Sequence, residues 1–271
     1  MGNPTIELRA VTITPGTPDQ IDFVKYVLAE FNMSDIPIGS FNYDHPKNCL
    51  SPWYIKQFPE FRPSLTSERP KEGASVLFRI SDETTTIITG GPLNNLAKAL
   101  EEHPDFKAEK FVIQGGFSGE GVIPREKQLE KFKGQDTCHS WNLTGNIPAA
   151  KKVIGHDETP KYFVSKNVCH SVTYTSEFHH QLEDGQEHPN SIKKIHAIME
   201  NYLIKHRDGK ILHDPLAACC AIEPEIGSWE KVTLSLKSKK AGWGSTKTET
   251  GNTWIITDYN PQRFLQTFNY I

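Results

Sequence analysis

No apolar run in the 271-residue sequence approaches the roughly 18 residues that a membrane-spanning helix needs, and residues 1–20 lack a charged start followed by an apolar stretch. Ile6 stands where a myristoylation signal beginning Met1-Gly2 would carry Ser or Thr, and Phe268-Asn269-Tyr270-Ile271 has no prenylation cysteine. Charge of one sign is also missing. Thirty Lys and Arg oppose 33 Asp and Glu, for a formal charge of -3 and a pI near 6.4, which excludes a global field that recruits nucleic acid or an anionic membrane. The chain therefore reads as a cytosolic protein. Its five cysteines (Cys49, Cys138, Cys169, Cys219 and Cys220) are odd in number and form no C-x-x-C, so they read as free buried thiols rather than a disulfide framework. The glycosylation strings at Asn32 and Asn142 mean nothing without a secretory signal. Internal repeats and low-complexity tracts are absent.

With 37% hydrophobic and 23% charged residues the composition is that of an ordinary globular protein. A chain of this length buries roughly 75% of the surface its unfolded form exposes, which supports one domain spanning 1–271 without disulfides. Residues 6–14 are rich in β-branched side chains and stop at Pro15-Gly16, as a buried strand does. Thr17-Pro18-Asp19-Gln20 then forms a capping box before a helix whose Ile21, Val24, Val27, Leu28 and Phe31 share a face. A short strand is expected near Ile36 and Ile38. Residues 40–70, with five prolines, read as a long irregular excursion. Strand and helix then alternate: a strand at 84–89, a helix through Leu93, Leu96 and Leu100, a strand at 110–114, a helix at 147–154 and a strand at 162–168. The C-terminal third adds a helix capped by Ser191 and ended by Gly209, a helix opened by His213-Asp214-Pro215, strands at 232–236 and 254–257, and a last helix from Pro261. This order predicts an α/β fold with an open, mostly parallel, Rossmann-like sheet flanked by helices, and ligands beyond the carboxyl ends of its strands.

Three constellations carry polar chemistry near such strand ends. Gly115-Gly116-Phe117-Ser118-Gly119-Glu120-Gly121 follows a strand but fits no phosphate-cradling pattern, and a flexible loop is the simpler reading. His170, His179, His180, His188 and His196, with Cys169, match no standard zinc spacing and lie in a polar stretch, which reads as a solvated loop. His213-Asp214-Pro215 places two polar side chains at a helix start, where Asp214 is either an N-cap or a functional carboxylate. Asn142, between Trp141 and Leu143, is either a turn residue or a hydroxyl-reading amide.

Together these pieces resemble the inosine/uridine-preferring nucleoside hydrolases. The resemblance rests on Val11-Thr12-Ile13-Thr14-Pro15-Gly16, Gly91-Pro92-Leu93-Asn94-Asn95-Leu96-Ala97, Trp141-Asn142 with Pro148-Ala149-Ala150, and His213-Asp214-Pro215-Leu216-Ala217, in the family's order. It implies hydrolysis of the N-glycosidic bond of a ribonucleoside through an oxocarbenium-like transition state, with a calcium ion at the strand ends and a homo-oligomeric protein. By position it implies His213 as the acid beside the leaving base, Asp214 and the Gly90 carbonyl as calcium ligands, and Asn142 with Trp141 as substrate-binding residues.

The family string D-x-D-P-G-x-D-D, which supplies most calcium ligands and the catalytic base, does not occur in these 271 residues. Met1 to Leu8 matches the family's second strand, so the chain is expected to lack the first strand and helix. Thr17 stands where the family often has a ribose-contacting Asn, Ser140 where a Glu is common, and residues 41–53 lack H-G-x-D-G. One carboxylate and one carbonyl fall short of the roughly 6 to 8 oxygens that calcium takes. Two expectations follow: a nucleosidase of reduced activity or dependent on a region outside this sequence, or a non-catalytic homologue acting as a binding or scaffold subunit.

Overall fold

A computed structural model describes residues 3–47, 50–63, 68–182 and 189–270. Met1-Gly2, Cys49, His188 and Ile271 lie outside the described residues. Contacts divide the chain into two compact units, one of Asn3–Asp82 with Asn94–Lys107, the other of Glu83–Leu93 with the chain from Ala108 onward.

In the first unit β1 (Val11–Ile13) leads into α1 (Pro18–Glu30), followed by β2 (Ile38–Ser40), α2 (Pro52–Lys56), β3 (Lys71–Glu72), α3 (Gly73–Ile80) and, later in the chain, α4 (Asn94–Glu102). The three strands form a parallel sheet in the order β1-β2-β3. The buried strand expected over 6–14 is a strand only at 11–13 and is half-buried there, residues 3–8 form no strand although Met1 to Leu8 matches the family's second one, and the excursion at 40–70 contains the helix α2. The capping box forms as expected: Gln20 Oε1 accepts from the backbone N–H groups of Gly16 (3.0 Å) and Thr17 (3.2 Å). Ile21 and Leu28 of α1 are buried. Asn95, from the Gly-Pro-Leu-Asn-Asn string, is a packing residue here. Its Nδ2 donates to Ile13 O and Thr14 Oγ1, both at 3.3 Å, tying α4 to the end of β1. A Cβ at Gly73 would lie 2.2 Å from Asn95 Oδ1, so only glycine lets α3 come this close.

The second unit holds β4 (Thr86–Thr89), β5 (Lys110–Gln114), β6 (Thr137–Cys138), α5 (Trp141–Thr144), α6 (Ile147–Ile154), β7 (Lys161–Val164), α7 (Lys166–Cys169), β8 (Thr173–Tyr174), α8 (Ser176–Gln181), α9 (Asn190–Lys205), β9 (Lys210–Ile211), α10 (His213–Ile222), β10 (Gly227–Ser238), β11 (Gly242–Lys247), β12 (Thr253–Tyr259) and α11 (Pro261–Phe268). Its seven-stranded sheet runs β4-β5-β7-β12-β10-β11-β6, with the first four strands parallel and the last three added antiparallel. The expected open, largely parallel sheet is therefore present as a mixed one. β8 and β9 pair separately.

Several local expectations are corrected. The strand expected over 162–168 ends at Val164; Ser165 donates its hydroxyl to Ile256 O (3.2 Å) and stands at the N-cap position, without a side-chain capping bond, of the short helix that holds Val168 and Cys169. Pro189, not Ser191, occupies the N-cap of α9. The Gly115–Gly121 loop is not a flexible loop over its first half: residues 115–119 are buried, Ser118 Oγ and Ser165 Oγ lie 2.6 Å apart, and Ser245 Oγ donates to Phe117 O at 2.8 Å. The Gly116 N–H, which a phosphate cradle would need, donates to Ser140 Oγ at 3.1 Å.

Helix α10 forms the centre of the larger core. Leu216, Ala217, Cys219, Cys220 and Ala221 are buried, packed with Val112 of β5, Val164 of β7, Ile256 of β12 and Phe264 of α11. A helix apolar on most sides is stable only when enclosed. Of the thiols read from the sequence as buried, Cys169, Cys219 and Cys220 are buried in this core while Cys138 is only half-buried, and burial pushes the Cys220 thiol up to about 12. Among the described residues no helix is long and apolar enough to cross a membrane.

Lys161 is fully buried at the start of β7. Its ammonium donates to His156 O, to Thr159 O (3.3 Å) and to Asn252 Oδ1 (2.7 Å), joining the α6–β7 and β11–β12 connections. Burial pulls its pKa down to about 8. Replacing it by methionine strands these oxygens, and Lys161→Met is expected to lower unfolding free energy by about 2–4 kcal/mol. Between pH 8 and the ordinary lysine value the unfolded chain holds a proton that the folded chain has released. This group therefore contributes stability that rises with pH in that window, against the opposite contribution of buried thiols such as Cys220, so the difference between wild-type and Lys161→Met urea midpoints is expected to widen from pH 8 upward.

Candidate functional site

The carboxyl ends of β4, β5 and β7 lie side by side, with Thr89 opposite Ile113 and Gln114 opposite Val164. α10 packs on β4 and β5 and begins at this edge. Its N-cap is Leu212, so His213 and Asp214 are the first two residues of the helix, and the reading of Asp214 as an N-cap is corrected. Pro215 fits the first turn because its missing N–H has no intrahelical partner there. The helix dipole favours a carboxylate at this end.

Gly90, directly after β4, makes room for that carboxylate. A Cβ on Gly90 would sit 3.0 Å from both the carboxyl carbon and Oδ1 of Asp214. Asp214 is open to solvent, yet the protein around it desolvates the carboxylate and raises its pKa, an effect that the Lys210 charge opposes.

His213 is half-buried and its Nδ1 lies 3.1 Å from Cys169 Sγ. Cys169 is buried, which pushes its thiol up to about 12, and Gln114 Nε2 donates to the same sulfur at 3.5 Å. Gln114 Oε1 in turn accepts from Asn142 Nδ2 at 2.7 Å, and Gln114 O accepts from the same nitrogen at 2.9 Å. Thus Asn142, 6% exposed, and His213 are joined through Gln114 and Cys169. Trp141, one residue away, is 76% exposed. Ser140 is buried, and its role is the loop contact to Gly116 already described.

The solvated-loop reading of the histidine-rich stretch fails for Cys169 and His170. Cys169, His170 and His213 each offer a ligand atom within 4.8 Å of the others. The surroundings are nonetheless cationic. Lys131 Nζ lies 2.8 Å from His170 Nδ1, where the ammonium donates, and burial together with Lys131, His213 and Lys166 pulls His170 down to about 4. Burial, then Lys210, Lys166 and Lys131, lowers His213 as well. The His170 Nδ1 lone pair is engaged by Lys131 and the neighbouring lysines oppose a cation, so the three side chains stand here as a neutral hydrogen-bonded cluster.

The profile of the family described as "Inosine-uridine preferring nucleoside hydrolase" matches residues 1–266. The chain belongs to the inosine-uridine preferring nucleoside hydrolase family. Among curated relatives, an uncharacterized protein of Aquifex aeolicus (strain VF5) is 28% identical over 258 residues, covering 93% of this chain and 85% of its own. A pyrimidine-specific ribonucleoside hydrolase, RihA, of Shewanella sp. (strain MR-4) is 24% identical, covering 83% and 73%. A solved plant nucleoside hydrolase, PpNRh1, superposes with a TM-score of 0.73 at 18% identity over 98% of this chain and 91% of that one. A purine-preferring ribonucleoside hydrolase from Gardnerella vaginalis gives 0.71 at 16% identity over 99% and 90%. These confirm the nucleoside hydrolase fold.

Members of the nucleoside hydrolase family are typically calcium-dependent. Asp214 against Gly90 provides one carboxylate and one adjoining backbone carbonyl, and these two donors alone do not fit a calcium ion, which takes about 6 to 8 oxygens. Gln114 escaped the sequence reading, although a polar residue closing the apolar strand Phe111-Val112-Ile113 was a visible signal, and Cys169 reads there as a buried thiol without a link to His213. The Gly90 approach gives a direct test. In Gly90→Ala the exposed carboxylate moves aside at a stability cost below about 1 kcal/mol, so the thermal midpoint is nearly unchanged while a crystal structure shows Asp214 displaced from the strand end.

Proposed function

We propose that this protein hydrolyses the N-glycosidic bond of ribonucleosides, releasing ribose and the free base, with residues 1–271 acting as one nucleoside hydrolase-like domain. The observation that carries this reading is the placement of His213 and Asp214 at the carboxyl edge of β4 and β5, with Asn142 linked to His213 through the half-buried Gln114 and the buried Cys169. Bond cleavage leaves its electron pair on the base nitrogen and a positive charge spread over the anomeric carbon and ring oxygen; water adds at the anomeric carbon and gives up its extra proton to solvent. His213 donates a proton or hydrogen bond to the departing base. Asp214 sets a negative charge near the cationic sugar, and together with the Gly90 carbonyl it is the pair that a family calcium would use. Asn142 spends both Nδ2 contacts on Gln114, so its Oδ1 remains to accept from a ribose hydroxyl. Trp141 offers an exposed aromatic face beside it.

The test is turnover of inosine, uridine and a nitrophenyl riboside in calcium buffer. His213→Ala is expected to lower kcat on the two nucleosides about 100-fold and to spare the nitrophenyl riboside, whose leaving group departs without a proton. Asn142→Ala is expected to lower kcat/KM on all three substrates, because all carry the ribose. Absence of turnover with every substrate overturns the reading and favours a non-catalytic homologue, the alternative that the short donor set around Asp214 and Ser140 in place of a family Glu support.

A further inference from the structure

We infer that Cys169 is a positioning residue that fixes His213 in the tautomer carrying its proton on Nε2, and that Gln114 passes this setting from Asn142. This inference rests on the reading of His213 as the donor to the leaving base. Each step follows from what the atoms can give and take. Asn142 Nδ2 lies 2.7 Å from Gln114 Oε1, which identifies that oxygen as the acceptor and turns the Gln114 amide so that Nε2, a donor only, faces Cys169 Sγ at 3.5 Å. The sulfur thus receives one hydrogen bond. Its own proton has two acceptors in reach: His213 Nδ1 at 3.1 Å and, much farther, the Lys166 carbonyl at 4.0 Å. The shorter contact wins, so S–H donates to Nδ1, and the single proton of a neutral imidazole must sit on Nε2. A thiol this deeply buried keeps that proton, because a thiolate would be an unpaired charge in the core.

His170 supports the assignment from the other side. Its ring stands 4.6 Å from that of His213, tilted by 59°, and its Nδ1 accepts from Lys131. Neither the histidine nor the lysine presents an acceptor to His213 Nδ1 from that direction, and Cys169 is left as the group that decides its protonation. The chain of contacts also gives a consequence for substrate. A sugar hydroxyl bonded to Asn142 Oδ1 polarises the amide, strengthens donation from Nδ2 to Gln114, and so stiffens the path that holds His213.

The experiment uses the full chain labelled with 15N in its histidines, with the His213 signals assigned by their loss in His213→Asn. In the wild type the expected long-range proton–nitrogen pattern is that of the Nε2–H tautomer. Cys169→Ser keeps a donor at the same place and retains this pattern, whereas Cys169→Ala, checked for folding by circular dichroism, shifts His213 to a mixture of tautomers. Nucleoside turnover is expected to fall about tenfold in Cys169→Ala and to recover in Cys169→Ser, with the nitrophenyl riboside unaffected by either. An Nδ1–H pattern in the wild type, or one unchanged in Cys169→Ala, overturns the inference. The spectrum does not depend on turnover, so an inactive chain with the expected tautomers would fail the proposed activity alone, and an active chain with the wrong tautomer would fail this inference alone.

Discussion

Helix α10 must be enclosed, because Leu216, Ala217, Cys219, Cys220 and Ala221 leave it almost no face suited to water. That constraint organises the larger unit. Packing α10 across β4 and β5 sets its first turn at the carboxyl edge of the parallel strands, and the polar residues His213 and Asp214 emerge where the apolar core ends. The same helix brings a positive dipole end to that edge, which suits a carboxylate and disfavours an imidazolium. Core formation and site placement are therefore one event: what buries Leu216 also delivers Asp214 to Gly90.

The polar groups at this edge are arranged to be mutually satisfied without formal charge. Asn142, Gln114, Cys169 and His213 form a line in which each member hydrogen-bonds the next, and His170 is held neutral by burial and by the ammonium of Lys131. A low-dielectric site rewards such completeness, since a single unpaired member costs about 1–3 kcal/mol. The two signs are segregated. The histidine cluster carries Lys131 and Lys166 as neighbours, while the Asp214 carboxylate faces the Gly90 strand end, so any cation, whether sugar or metal, is favoured on the Asp214 side and opposed on the side of the histidines.

Much of this was legible in the sequence where the chain obeys one period at a time. The strand Lys110–Gln114 and the helix Ile147–Ile154 stand with the bounds that their patterns give, because each has an apolar face ended by Gly. Residues 162–168 misled because Tyr162, Phe163, Val164 and Val168 read as one strand, while Ser165 breaks it by turning its hydroxyl to Ile256 O. The glycine-rich loop misled for a similar reason. Five glycines in 115–134 suggest freedom, but Phe117 and Ser118 are fully buried and the backbone is held by Ser140 and Ser245 from distant parts of the chain. Of the site, His213, Asp214, Gly90 and Asn142 could be named by resemblance, but Gln114 and Cys169 act through contacts 28, 55 and 44 residues apart that no local pattern encodes.

Ser140 shows how far a changed residue alters such a site. A Glu at this position would bring a charge into a place where Ser140 is 2% exposed and already accepts the Gly116 N–H. A Cβ on Gly115 would itself lie 3.2 Å from Ser140 Oγ, so the space is filled. A carboxylate would have to leave this pocket toward solvent or displace the loop that follows β5, and that loop positions Gln114 at its first step. The serine instead gives this position a hydrogen bond that holds the strand end. At the same edge Asp214 carries the carboxylate, and the bare Gly90 backbone beside it is what lets that charge sit against the end of β4.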